Sequence, residues 1–480
     1  MKYSFLCCCL LAFTSQEALG QNVAEKIRQV ESNLMPWIQK TDSAWVRYSM
    51  EERLTFYKVP SLSIAVINDY EVEWTKAYGF SDLAERHWAS DSTIYQAASL
   101  SKSLHSFCVH LLAQDGKLPL DEDIRPYLKS WKIPENSYSK GQKITIQHLL
   151  SHTAGFNKHG FENYEIKNLP TLDELLRTVK PVAYPGRQVQ YSGGGYLIAQ
   201  KILEDNIGSN YEQLMQDKVL RPLGMSHSTF DQRLPNGRYA KVATAYDGDL
   251  NPFSEKYLAE GAQAAGGLWC TPRDMAKFVI QVQKCIEEKP GALLSKSLTD
   301  KMLSPMLDST KEAMGFFIEQ RGGRKYFQHG GSNTGYKCLY YGSFEGGTGI
   351  VLMTNSDNDG ILDEVLQSFS IVYGWNGFYK PSDVTQRFYP DSVTTPYLGT
   401  YSFGKRRGHE AKRAINFMSE VKISKVNGRF FFQADEDIPE EMFFYKPNKF
   451  VCASNTYIGE FEKSELKIKY LGNVFVAEKR

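Results

Sequence analysis

Strand-like runs lie near the two ends of residues 21–380 and helical periodicity fills the middle, an order that restricts how the chain can close on itself. Pro60-Ser61-Leu62-Ser63-Ile64-Ala65-Val66-Ile67 reads as a strand, and Asn68-Asp69 as the turn into Val72–Tyr78, together a hairpin. Strand patterns return at Lys325–Gln328, Tyr336–Tyr341 and Gly349–Thr354, followed by a helix at Leu362–Tyr373. From about Asp115 to Pro305 the pattern is mainly helical. Ile144–His152 begins one helix capped by Thr145; another starts at Thr271-Pro272-Arg273-Asp274, with threonine at the N-cap and proline at the first position. Distant strands can share one sheet only if the two ends meet. The expected architecture is an α/β lobe built from the ends and an all-α lobe inserted from the middle.

The flanks differ in character. Met1-Lys2, the apolar run Phe5–Phe13 and the small residues Ala18-Leu19-Gly20 read as a signal peptide over 1–20, removed before Gln21. The competing reading is a lipid anchor through Cys7, Cys8 or Cys9. No later apolar stretch is long enough to span a bilayer, so an exported protein, periplasmic or secreted, is expected, with association with the cell envelope left open. A helical pattern (Val23, Ile27, Val30, Leu34, Ile38) runs from Gln21 towards Phe56. The main domain is assigned to 21–380 and a linker rich in proline, serine, aspartate and threonine to 381–396. Residues 397–480 carry short strands separated by turns, including one at Phe417–Ile423, which suggests a small all-β sandwich or barrel. With Lys+Arg 56 against Asp+Glu 55, no basic field argues for nucleic acid. Cys108, Cys270, Cys285, Cys338 and Cys452 remain after the leader; an odd, scattered set reads as small buried side chains rather than a disulfide framework.

Three stretches carry chemistry. The first is Ser99-Leu100-Ser101-Lys102, opening an apolar helix (Leu104, Phe107, Cys108, Leu111, Leu112). Residues at i and i+3 of a helix are neighbours, so the Lys102 amine can reach the Ser99 hydroxyl, and the positive end of the helix dipole favours an alkoxide. Ser-x-x-Lys recurs from Ser137, Ser402, Ser419 and Ser464, so the pattern needs its helical context and its companions. The second is Tyr191-Ser192-Gly193-Gly194-Gly195, before another apolar helix, where glycines let backbone approach a ligand and leave a phenol able to act as general base. The third is Gln328-His329-Gly330-Gly331-Ser332, at the end of a strand, where small residues free main-chain N–H groups for an oxyanion. Alone, the second reads as a tight turn and the third as a glycine-rich hairpin.

Taken together, Ser99-x-x-Lys102, Tyr191-Ser192 and His329-Gly330-Gly331 resemble the penicillin-recognising serine hydrolases, in the branch of the class C β-lactamases. The likeness runs from about Lys58 to Asn355, and extends to Ile144–Gly155, Pro222-Leu223-Gly224-Met225 and Ala264–Leu268. It implies a β-lactamase/DD-peptidase-like α/β fold, an antiparallel sheet flanked by helices with an inserted all-α lobe, and a small C-terminal all-β domain. It further implies Ser99 as acylated nucleophile, Lys102 as its activating partner and Tyr191 as proton shuttle. N–H groups of Ser99 and Ser332 would form the oxyanion hole, with His329, Gly330, Gly331 and Gly193 in the substrate-binding set. No metal or cofactor is implied; the partner is a small-molecule or peptide substrate. Where the family's second motif usually ends in asparagine, which contacts an acylamide, this chain has Gly193, and an esterase or D-amino-acid-type peptidase is favoured over a β-lactamase or DD-carboxypeptidase. Three other readings compete. An α/β-hydrolase lacks its Gly-x-Ser-x-Gly elbow here. A zinc pair at His148 and His152 lacks a third ligand, and these histidines read better as braces beneath the site. The third is a catalytically silent peptide-binding module.

Overall fold

The computed structural model describes residues 21–40, 45–308, 310–379, 382–403, 419–435, 439–453, 457–470 and 473–480. The signal assignment over 1–20 and the start of the strand at Phe417 lie outside them. The chain forms two compact units, one of Lys58–Leu362, the other of the described residues within Met1–Tyr57 and Asp363–Arg480.

The larger unit is built on a seven-stranded antiparallel sheet: β1 (Ser61–Asn68), β2 (Glu71–Asp82), β3 (His87–Trp88), β4 (Phe317–Arg321), β5 (Arg324–Asn333), β6 (Tyr336–Ser343) and β7 (Gly349–Thr354). Across the sheet the order is β3-β2-β1-β7-β6-β5-β4. The first and last of the long strands pair directly, Ile64 with Leu352 and Val66 with Ile350, so the ends of the unit do meet. Both strands are buried almost throughout, and β-branched side chains suit such a two-sided position. Everything between β3 and β4 is the helical insert. Its elements include α1 (Ser101–Gln114), α2 (Ile146–Leu150), α3 (Gly193–Ile207) and α4 (Pro272–Ile286). The capping expected from sequence is present: Thr145 and Thr271 accept from the N–H groups of His148 and Asp274. One continuous core joins sheet and insert, with Leu104, Phe107, Ile198, Trp269, Phe278 and Phe327 all buried.

β5 is longer than the sequence suggests and contains the third motif whole, and β4 lies where no strand is expected from the sequence. Glycines 322 and 323, with φ of 57° and 78°, make the tight turn that joins β4 and β5 as a hairpin.

In the smaller unit the N-terminal helical pattern does not run through. Residues 21–32 are helical, Ile38–Lys40 is a strand and Met50–Phe56 a second helix. Pro36 explains the break, because it donates no hydrogen bond and disfavours helical backbone at Met35. Within 381–396, Ser382–Val384 pairs in parallel with Ile38–Lys40. The C-terminal strands, from Gly399–Ser402 to Asn473–Lys479, form a closed eight-stranded barrel, sealed where Tyr401 and Ser402 pair with Lys479 and Glu478. Closure leaves no unpaired edge, and Phe432, Phe444, Phe450 and Phe461 belong to its core. The five cysteines among the described residues are free and buried.

Candidate active site

The short strand Tyr95–Ala98 pairs with Leu268–Cys270 and delivers the chain to Ser99. Ala98 has φ of 46°, a left-handed conformation that a residue with a Cβ rarely adopts. The Ser101 hydroxyl secures it, donating to the Ala98 carbonyl at 2.5 Å and accepting from the Leu268 N–H at 2.9 Å. Helix α1 begins only at Ser101, so Ser99 stands just ahead of it, half-buried and reachable.

Lys102 is 2 % exposed. Its amine donates to Ser99 Oγ at 3.0 Å and to the Ala265 carbonyl at 2.5 Å, so the short helix Gln263–Gly266 fixes where the amine points. The same amine lies 5.0 Å from the ring centre of Tyr191 and 5.6 Å from that of Tyr196. Tyr191 is half-buried, whereas Tyr196 is fully enclosed and spends its hydroxyl on the Leu150 carbonyl. Three imidazoles surround Tyr191, His152 at 4.1 Å, His159 at 4.9 Å and His329 at 6.4 Å between ring centres.

The third motif forms an open sheet edge. β4 accompanies β5 only as far as the pair Gln328–Phe317, and beyond it no described strand covers that side. The closing pair of the tight hairpin, Arg321 with Arg324, exchanges hydrogen bonds, so by alternation the even-numbered residues of β5 direct N–H and C=O towards this edge. Gly330 and Ser332 are among them, and both are exposed. The edge is held beside the Ser99 turn by Asn333, whose amide donates to Gln96 Oε1 at 2.7 Å. A Cβ on Gly331 would stand 2.5 Å from the Ala97 carbonyl oxygen, so only glycine permits this approach.

His329 is 2 % exposed and donates through Nδ1–H to the Gly330 carbonyl at 2.6 Å, which leaves Nε2 with a lone pair. Burial, with the charge of Lys102 second, lowers its pKa to about 3, so the imidazole is neutral at physiological pH. Gly193 lies elsewhere than on the open edge. It is buried, its N–H donates to the His159 carbonyl at 2.9 Å, and a Cβ would meet that oxygen at 3.1 Å and the Phe161 ring at 3.3 Å.

His148 and His152 each accept a backbone N–H at Nδ1, from Thr145 and Ser192. Among the described residues no group of three or more His, Cys, Asp or Glu side chains could hold a metal ion. The Ala265 carbonyl, His159, Phe317 and the buried Glu260 also belong to the surroundings of the site and were not singled out from sequence. A backbone carbonyl carries no sequence signal, and the others acquire their place only by folding.

The Beta-lactamase family model matches residues 46–366. A Bacillus subtilis protein named for the penicillin-binding proteins, PbpX, is 27 % identical over 307 residues, covering 62 % of this chain and 72 % of its own. A Staphylococcus aureus teichoic acid D-alanine hydrolase is 24 % identical over 224 residues, 46 % of this chain and 54 % of its own. Among solved structures, the octameric penicillin-binding protein homologue of Pyrococcus abyssi aligns with a TM-score of 0.60 at 20 % identity, covering 89 % of this chain and 98 % of that one. The D-amino acid amidase of Ochrobactrum anthropi SV3 aligns with a TM-score of 0.54 at 21 % identity, covering 66 % and 95 %.

Proposed function

The chain belongs to the Beta-lactamase family of serine hydrolases, and we propose that it is an exported acyl-enzyme hydrolase of esters or amides of the D-amino-acid type. The observation that carries the chemistry is the buried Lys102 amine, 3.0 Å from Ser99 Oγ and under the Tyr191 ring. In this reading Ser99 Oγ attacks the substrate carbonyl while its proton passes to Tyr191, and Lys102 holds the serine oxygen and supports the phenolate. The N–H groups of Ser99 and Ser332 receive the oxyanion. Tyr191 then returns the proton to the departing alcohol or amine, and a water enters by the same route in reverse to release the acid and restore Ser99.

The preference for substrates without a carboxylate near the third motif rests on His329. A neutral imidazole that has already spent its one N–H on Gly330 offers no cation to a carboxylate. Gly193 has no side chain to meet an acylamide, and the segment around His159 and Phe161 fills the adjacent space. The teichoic acid D-alanine hydrolase and the D-amino acid amidase among its relatives are named for D-amino-acid chemistry of this kind.

Export is supported by the composition of residues 1–20 and by relatives named for penicillin binding and for hydrolysis of teichoic acid D-alanine. Among the described residues no helix is long and apolar enough to cross a membrane. Cell fractionation with N-terminal sequencing tests this, Gln21 being the expected first residue.

The activity is tested with a panel of D-alanyl esters, D-amino acid amides, D-alanyl-D-alanine peptides and nitrocefin. Turnover of the first two above the last two supports the assignment; the opposite order favours a DD-carboxypeptidase or β-lactamase. A fluorophosphonate that leaves no mass on the Ser99 peptide would return the protein to the silent binding class.

A further inference from the structure

We propose that His152 is the positioning residue of Tyr191, a single side chain that fixes the phenol from both flanks and from beneath. The inference rests on the reading of Tyr191 as proton carrier and adds to it the group that holds the carrier in place.

Three contacts converge from this one residue. The His152 carbonyl accepts the N–H of Gln190 at 2.8 Å, its Nδ1 accepts the N–H of Ser192 at 3.0 Å, and its ring stacks on Tyr191 with centres 4.1 Å apart and planes 30° from parallel. The residues before and after the tyrosine are therefore tied to the residue that carries the stacked ring. Ser192 continues the restraint by capping helix α3 through the N–H of Gly195 at 3.2 Å, so the clamp is anchored to a rigid element.

The backbone shows how one residue can make all three contacts. His152 has φ of 60°, a left-handed conformation uncommon for a residue with a Cβ but one that histidine adopts more readily than most. It follows the end of helix α2, and the left-handed turn there accompanies carbonyl and ring contacts to one segment, Gln190–Ser192. The Thr153 carbonyl extends this, accepting from the Gly186 N–H at 2.8 Å.

The tautomer is also set. Because Nδ1 accepts, the ring proton sits on Nε2, and burial, with the charge of Lys102 second, holds the ring in its neutral form. An imidazolium here would surrender the Ser192 hydrogen bond, since both nitrogens would then be donors.

The test separates positioning from general support. His152→Asn keeps a short acceptor and a side chain that tolerates left-handed backbone but removes the ring, while His152→Phe keeps the ring and removes the acceptor. With p-nitrophenyl acetate or the best ester of the panel, both variants are expected to lower kcat by about tenfold to hundredfold, the scale of a misplaced catalytic group, with little change in KM and a displaced pH profile. Tyr191→Phe supplies the reference. Combined with Tyr191→Phe, either His152 variant is expected to add almost no further loss, because its effect runs through the absent phenol. Full additivity in the double variants, or wild-type kcat and pH profile in both single variants, would overturn the proposal. So would failure of both single variants to fold, which would make His152 a structural residue. If Tyr191→Phe alone keeps the parental rate, it is the role of Tyr191 that fails, and the two results are told apart.

Discussion

Gly331 and Cys338 face each other across β5 and β6 so closely that a Cβ on the glycine would overlap the thiol sulfur. The thiol in turn donates to the Ala97 carbonyl at 3.0 Å, two residues before Ser99. The open strand edge and the serine turn thus share one tightly packed seam, and the distance between the N–H groups of Ser99 and Ser332, the proposed oxyanion donors, depends on it.

Gly331→Ala should therefore act on both stability and catalysis. The added methyl meets the backbone oxygen of Ala97 and the Cys338 sulfur, neither a flexible side-chain tip, so β5 must shift. A cost of about 1–3 kcal/mol, as for overpacking elsewhere, is expected as a fall in Tm, with kcat falling more than KM changes. Gly330→Ala, whose Cβ would meet nothing closer than 3.9 Å, is the control and should leave Tm nearly unchanged.

Removal of the nucleophile or its partner separates chemistry from fold. Ser99→Ala should retain Tm, abolish fluorophosphonate labelling and abolish turnover. Lys102→Ala should lower ester kcat/KM by about a thousandfold, within the usual range for an acid–base group. A Lys102→Ala enzyme as fast as the parent would contradict the assigned pair.

His329→Lys replaces a buried neutral imidazole next to the free edge with a cation. It should raise kcat/KM for substrates bearing a free carboxylate relative to their methyl esters by about tenfold, the scale of one charge-assisted hydrogen bond of about 1.5 kcal/mol. The measurement is the ratio for each acid–ester pair in parent and variant; an unchanged ratio would mean that the substrate does not approach this position.

Glu260 gives the fold a pH dependence of definite sign. Burial pushes its carboxyl up to about 8, although the Ala262 N–H and the charge of Lys102 pull the other way. Folded, it holds its proton through the neutral range; unfolded, it ionises near 4.5. Its contribution is full below about 4.5 and is lost as pH rises through about 8. Urea unfolding of the parent should weaken between pH 5 and 8 by an amount on the order of a few kcal/mol, and Glu260→Gln should flatten that slope.

Much of this protein could be read from its residues because the signals are local. Ser99 and Lys102 are three apart at a helix entry, a spacing that brings two side chains together wherever it forms. The strands β1, β2, β6 and β7 are legible because apolar runs of that length bury themselves in a sheet. Tyr191 and His329 entered the site through likeness to a family, since no local rule brings residues so far apart in sequence to one place. Folding alone selected the Ala265 carbonyl as the Lys102 acceptor, opened the edge of β5 beyond Gln328, and set His152 against Tyr191. These are long-range contacts, fixed by how the insert packs against a sheet whose first and last long strands pair, and a sequence states them only through the energy of the whole core.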